Sequence, residues 1–332
     1  MDNFWIVTEE ERTYLHDLAQ RQAEYAALPI MVQRKQQWYD LNDGPLSARP
    51  PVIIESWTFE RDFMPENIFR YSGPMARMVE AQLLKNVRNY EILFDDKVMP
   101  DTFDISWFVF IDEFGIMIER ETVKDAQGYE LGYHEKHPIK DLHMDFELLK
   151  PASVTIDRNF TYTLKGFIEG VIGDILPVTI CTPVTGRTDL TTRVVELMGM
   201  EAFMLALYEC PDEVHRLMAY LRDNCLRVMR LVEAEGLMTL NNGNQESFGS
   251  SFNFTTQLPA QGYVDGPARL SDMWGWSNSQ ETIGISPKMF LQVHSDGSCL
   301  WLQVYRPWHF FTITTFQEGV NIRHQQISFA PS

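Results

Sequence analysis

The sequence predicts an α/β fold, with a (β/α)8 TIM barrel as the leading architecture and a doubly wound sheet as the alternative. Three observations predict it. Short continuous apolar runs at 52–54, 175–181 and 237–240 have the look of strands buried on both faces. Each run ends in a polar or aromatic cluster, which is how α/β barrels present chemistry at their C-terminal face. Amphipathic helices lie between the runs, and 332 residues are enough for one large barrel.

Thr8-Glu-Glu-Glu11 is a capping box and opens a helix to about residue 27. A second helix, around 32–41, stops at Asn42-Asp-Gly-Pro. The Pro-Pro pair before Val52 ends whatever precedes it, and the Val52–Ile54 run closes in Glu55 and Trp57. Met78, Val79, Leu83, Val87 and Tyr90 give a helix over 75–90. Residues 104–111, 115–122 and 129–134 read as three strands of a small β-rich insertion, and 141–149 as a short helix. A helix over 159–172 precedes the second apolar run, and 193–208 is helical again. Pro211, tolerated at a first helical position, starts a long helix that Gly236 ends.

Composition narrows the function. The 45% hydrophobic and 12% aromatic content supports a buried core, so the chain is not a disordered one. A net charge of −18 argues against nucleic acid and anionic membrane surfaces as partners. No apolar run is long enough for a transmembrane helix, and the acidic start, MDNFWIVTEEERTYL, predicts no signal peptide. Cys181, Cys210, Cys225 and Cys299 form no CxxC pair and fit reduced thiols in a cytoplasm.

The candidate site residues follow from position. Glu55 beside Trp57 at a strand end reads either as a carboxylate in a partly apolar site, with desolvation raising its pKa, or as a solvated loop glutamate. Arg61, six residues beyond Glu55, reads as a carboxylate-binding group or a surface charge. Asn241, Asn242 and Asn244 follow the third run, where amides serve a heteroatom-rich ligand or simply a turn. The segment GYVDGPARLSDMWGWSNSQETIGISPKMF places Trp274, Trp276, Asn278, Gln280 and Glu281 before a Ser286-Pro287 helix start, a pattern suited to a pocket lining. His134, His137 and His143 crowd one segment, but Pro138 breaks it and the HExxH spacing is absent, so it reads as a solvated loop and no zinc set stands out. No nucleotide-binding glycine loop, GxSxG elbow or Ser/His/Asp set is visible.

ARPPVIIESW, FIEGVIGDILPV, EGLMTLNNGN and above all DGPARLSDMWGWSNSQETIGISPKMF resemble the uroporphyrinogen decarboxylase superfamily. The likeness is to its decarboxylase-like branch in anaerobic bacteria, related to corrinoid-dependent methyltransferases, and covers most of residues 5–290 in order and spacing. It implies a TIM barrel over 1–290 whose pocket Glu55, Trp57, Asn241, Asn242, Trp274, Trp276 and Gln280 would line, with Glu55 the catalytic candidate. It also implies methyl transfer with a corrinoid (cobalamin) or corrinoid protein as partner or substrate. Decarboxylation of a tetrapyrrole, a lyase reaction, is the alternative, and a non-catalytic tetrapyrrole- or corrinoid-binding protein or inactive copy is a third reading. Relatives are often homodimers. The arginine-rich motif of true decarboxylases is matched only in part by Arg21-Gln-Ala-Glu, inside an amphipathic helix. The methyltransferases' zinc-binding late cysteine motif is not matched.

After Phe290 the pattern changes. Residues 291–332 carry four charged side chains, Asp296, Arg306, Glu318 and Arg323, and no helical stripe. A divergent β-rich ending and a shifted reading frame both account for this; the abrupt break favours the second. Under it Cys299 is not a zinc ligand.

Overall fold

A computed structural model describes residues 4–44, 49–71, 73–126, 128, 130–182, 189–245, 252–278, 280–282, 284–286 and 310–313. In chain order its elements are α1 (Glu9–Ala26), α2 (Pro29–Asp43), α3 (Glu60–Phe63), α4 (Pro74–Arg88), β1 (Phe103–Ser106), β2 (Val109–Asp112), β3 (Glu119–Lys124) and β4 (Glu130–Lys136). There follow α5 (Leu142–Asp145), β5 (Ser153–Ile156), α6 (Arg158–Ile172), β6 (Val178–Cys181), α7 (Leu190–Met198), α8 (Met200–Glu209), α9 (Pro211–Ala234), β7 (Gly275–Asn278) and β8 (Phe310–Ile313). The fold is mixed α/β. Among the described residues the strands pair only two by two, and none of these small sheets closes. No described helix is long and apolar enough to cross a membrane.

The chain divides into two compact units. The first comprises residues 1–108, 157–183 and 239–266. Its centre is the parallel pair β1–β6, in register from Phe103 against Val178 to Ser106 against Cys181. Parallel strands need a crossover, and α6 supplies it. The helix begins where Asp157 accepts from the Phe160 amide at 2.8 Å. Leu164, Ile168, Val171 and Ile172 form its buried stripe and join Phe103 and Ile105 of β1 in one core. α1 and α4 complete that core through Leu15, Leu18, Val79 and Leu83. The Thr8 capping box is present: its hydroxyl accepts from the Glu11 amide at 3.2 Å, and Glu11 accepts from the Thr8 amide at 2.7 Å.

The first apolar run behaves otherwise than the sequence predicts. Residues 52–54 are irregular, with Val52 57% and Ile54 40% exposed. Carboxylates take their amides in place of a sheet partner: Asp96 accepts from Val52 at 2.8 Å and Asp95 from Ile54 at 2.9 Å. A run capped by side chains has no need of neighbouring strands. The 237–240 run is likewise not a regular strand.

The second unit comprises residues 109–156, 184–238 and 267–332. The excursion between β1 and α6 opens and closes on the antiparallel pair β2–β5, Val109 opposite Ile156. Between them stands the β3–β4 hairpin, every β3 residue exposed. The predicted strand over 104–111 is therefore two strands, β1 and β2, with different partners. Asn224 of α9 holds the excursion, accepting from the Ala152 amide and donating to the Glu113 carbonyl, each at 3.0 Å. The predicted 193–208 helix is broken at Gly199, whose φ of +86° is glycine territory. A Cβ there would lie 2.9 Å from the His137 ring. β7 and β8 pair in parallel, Gly275 opposite Phe310.

Candidate functional site

The C-terminal end of β1–β6 gathers polar and aromatic groups within the first unit. The backbone continues the pairing one step past the strands, with the Trp107 amide donating to the Cys181 carbonyl at 3.3 Å. The Trp107 ring has the Arg158 guanidinium 5.3 Å from its centroid, and the Tyr162 ring meets it edge-on at 5.5 Å. On the β6 side, Thr182 and Thr239 are tied reciprocally: each amide donates to the other's hydroxyl, at 3.0 and 2.8 Å. Asn241 lies two residues on and is buried.

Behind this rim sits Asp104, paired in register with Thr179. One of its carboxylate oxygens accepts from the Thr102 hydroxyl at 2.7 Å and from the Thr179 hydroxyl. Cys181 is close to Thr179, and burial, with Asp104 adding to it, pushes its thiol up to about 11. At neutral pH the sulfur keeps its proton and is a poor nucleophile.

The sequence-predicted residues fall in both units. Glu55 precedes a short 3-10 turn, Ser56–Phe59, where its carbonyl accepts from the Thr58 amide at 3.1 Å. Trp57 is 63% exposed, and Arg61 lies in α3. The Asn242 side chain donates to the Leu258 carbonyl at 2.8 Å, and that of Asn244 to Asp101 at 2.5 Å. Asp101 precedes β1, so the 239–244 segment runs from the far end of the pair back towards its start. All of these belong to the first unit. Trp274, in the second, is buried. Trp276 is in β7 and Gln280 begins a 3-10 turn, but their side chains, with that of Asn278, lie outside the described residues. Glu281 accepts from Thr191 at 2.6 Å and Thr192 at 2.7 Å, in the first turn of α7, where a helix dipole favours an anion. Pro287 and Cys299 are outside the described residues.

Among the described residues His134, His137 and His143 do not meet at one point. His134 and His137 rings are 6.4 Å apart, while His143 faces Glu213 at 3.4 Å. Among the described residues no group of three or more His, Cys, Asp and Glu side chains could hold a metal ion.

Sequence reasoning missed Trp107, Arg158, Thr182 and Thr239. Trp107 sat inside a predicted strand, and only the chain's departure from the sheet at that point shows it as a strand end. Thr182 was visible as the residue after the second run. The fold and rim define an α/β protein with a polar, aromatic edge on a parallel pair. No family model, curated protein or solved structure matches the chain.

Proposed function

We propose that the chain is a uroporphyrinogen decarboxylase-like (β/α)8 barrel protein serving corrinoid-linked one-carbon metabolism in the cytoplasm. The observation that carries this reading is the β1–α6–β6 crossover, whose C-terminal end bears Trp107, Thr182, Thr239 and Asn241. A parallel crossover is the building unit of such a barrel, and its strand ends are where the fold places ligands. The resemblance of the 262–290 segment supplies the superfamily, and a large flat macrocycle is the ligand that stacking groups favour. Corrinoid is preferred over porphyrinogen because Arg21, within the partial arginine motif, is engaged by Glu91 and lies 3.8 Å from Asp17. A guanidinium committed to two carboxylates is poorly placed to hold substrate acetates. Among the described residues Cys181, Cys210 and Cys225 form no disulfide, which suits a reducing compartment.

A second reading, a protein that binds the macrocycle without converting it, is favoured by Cys181 and Asp104. The thiol is pushed up to about 11 and the carboxylate is held by two threonines. Stoichiometric binding without turnover separates the two readings.

Titration with cobalamin and with a coproporphyrin, followed by tryptophan fluorescence and the ligand's visible spectrum, tests both. Saturable quenching by cobalamin alone is expected. Quenching by the porphyrin alone would transfer the chain to the decarboxylase reading. A folded, soluble sample that binds neither would overturn the proposal.

A further inference from the structure

The second unit holds a cavity of about 50 Å³ that the reading above does not use. Its walls come from β2, α7, α9 and the loops after β2 and before β5: Ile111, Phe114, Leu221, Val228 and Met229 give an apolar body. Three polar residues join them, Glu113, Arg193 and Asn224. The charges there are already matched. Arg193 Nε is 3.2 Å from Glu113, and Nη1 donates to Glu196. Glu196 is in turn 3.6 Å from Arg120, which is 2.7 Å from Glu135. Burial alone would lower the Arg193 pKa, but Glu113, Glu196 and Asp189 outweigh it and raise it, so the guanidinium stays charged. Asn224 is spent on the Ala152 amide and the Glu113 carbonyl.

One group is left over. Arg193 is 8% exposed, and its Nη2 is buried with no acceptor among the described residues. A buried guanidinium N–H without an acceptor is costly, and an incoming oxygen beside it would relieve that cost.

We propose that this cavity binds a small uncharged molecule with an aliphatic body and one acceptor oxygen, of the ketone, secondary alcohol or amide class. The volume admits about four or five heavy atoms. A carboxylate is disfavoured because Glu113 and Glu196 already pair with Arg193, the cation among the described lining residues that it would seek. An amine is disfavoured because it brings a positive charge to Arg193 and, protonated, has no lone pair to accept from Nη2. The inference stands independently of the corrinoid reading, since it concerns residues of the other unit alone.

Met229 supplies the reporter, as its methyl group belongs to a side chain of the cavity wall. The full chain, carrying 13C-methyl methionine, is titrated with 2-butanone, butyrate and butylamine, and the methionine resonances are assigned by Met→Leu substitution. The expected result is a saturable shift of the Met229 methyl by 2-butanone, with affinity on the order of millimolar, as suits so few atoms. Butyrate and butylamine should bind at least about tenfold more weakly, one step of the affinity scale. A second variant, Val228→Phe, narrows the cavity and should abolish the shift. No shift with 2-butanone, equal or tighter binding of either charged probe, or an equal shift at Met99 in the first unit would overturn the proposal.

Discussion

The short β1–β6 pair and the longer β3–β4 hairpin are opposite in what holds them. In β1, Phe103 and Ile105 are buried in the core that α1, α4 and α6 share. In β3 every residue is exposed, and the hairpin is laced by charge: Lys136 lies 3.1 Å from Glu119 and 2.8 Å from Glu121, and Arg120 2.7 Å from Glu135. One is stabilised by burial, which is not screened; the other by surface ion pairs, which are. The candidate rim sits on the first kind. A ligand-binding edge gains from a platform that does not breathe, whereas an exposed hairpin tolerates change.

Substitutions can break this comparison. Phe103→Ala removes a fully buried ring from the first unit's core and should cost about 3–5 kcal/mol in urea denaturation. A loss below about 1 kcal/mol would mean that β1 is not anchored as the packing shows. Cys181, on the same pair, offers a chemical reading: iodoacetamide should modify it slowly at pH 7, with the rate rising roughly tenfold per pH unit towards its thiol pKa of about 11. A plateau reached by pH 9, read by mass spectrometry of the 173–189 region, would contradict the burial. Gly199→Ala, which forces a side chain into positive φ and against His137, should destabilise by about 1–3 kcal/mol. Thr8→Ala removes the α1 cap at about 1 kcal/mol, visible as a small shift in the denaturation midpoint. Lys136→Ala on the hairpin should lower that midpoint only slightly at low salt, and by less still at high salt, where its two ion pairs are screened.

The sequence carried the local signals well. The Thr8 box, Pro211 at a helix start and the apolar stripe of α4 each rest on residues close in the chain, and each element is present. What it could not carry is partner choice. Val52–Ile54 has a buried-strand composition, but Asp95 and Asp96, some forty residues away, cap its amides. The Gly199 break falls inside a segment read as one helix; neither its positive φ nor the His137 ring beside it, some sixty residues away in the chain, shows in the local pattern. At the site, the polar character after the apolar runs was legible, and Thr182 and Asn241 occupy such positions, whereas Thr239 lies inside the third run. Asn242 and Asn244, legible as the same cluster, turn their amides to Leu258 and Asp101. Arg193 was hidden because Arg193 and Glu196 look like an ordinary i,i+3 helix pair, and the third partner, Glu113, is remote in the chain.

Amide hydrogen exchange with and without saturating cobalamin tests the central claim, that the end of the buried parallel pair is the ligand platform. The account predicts slow exchange at 103–107 and 178–182, slowed further by cobalamin there and at 239–242, with 119–136 fast and unaltered. Protection of the hairpin equal to that of the pair, or cobalamin binding that leaves the 107, 182 and 239–242 amides unchanged, would contradict it.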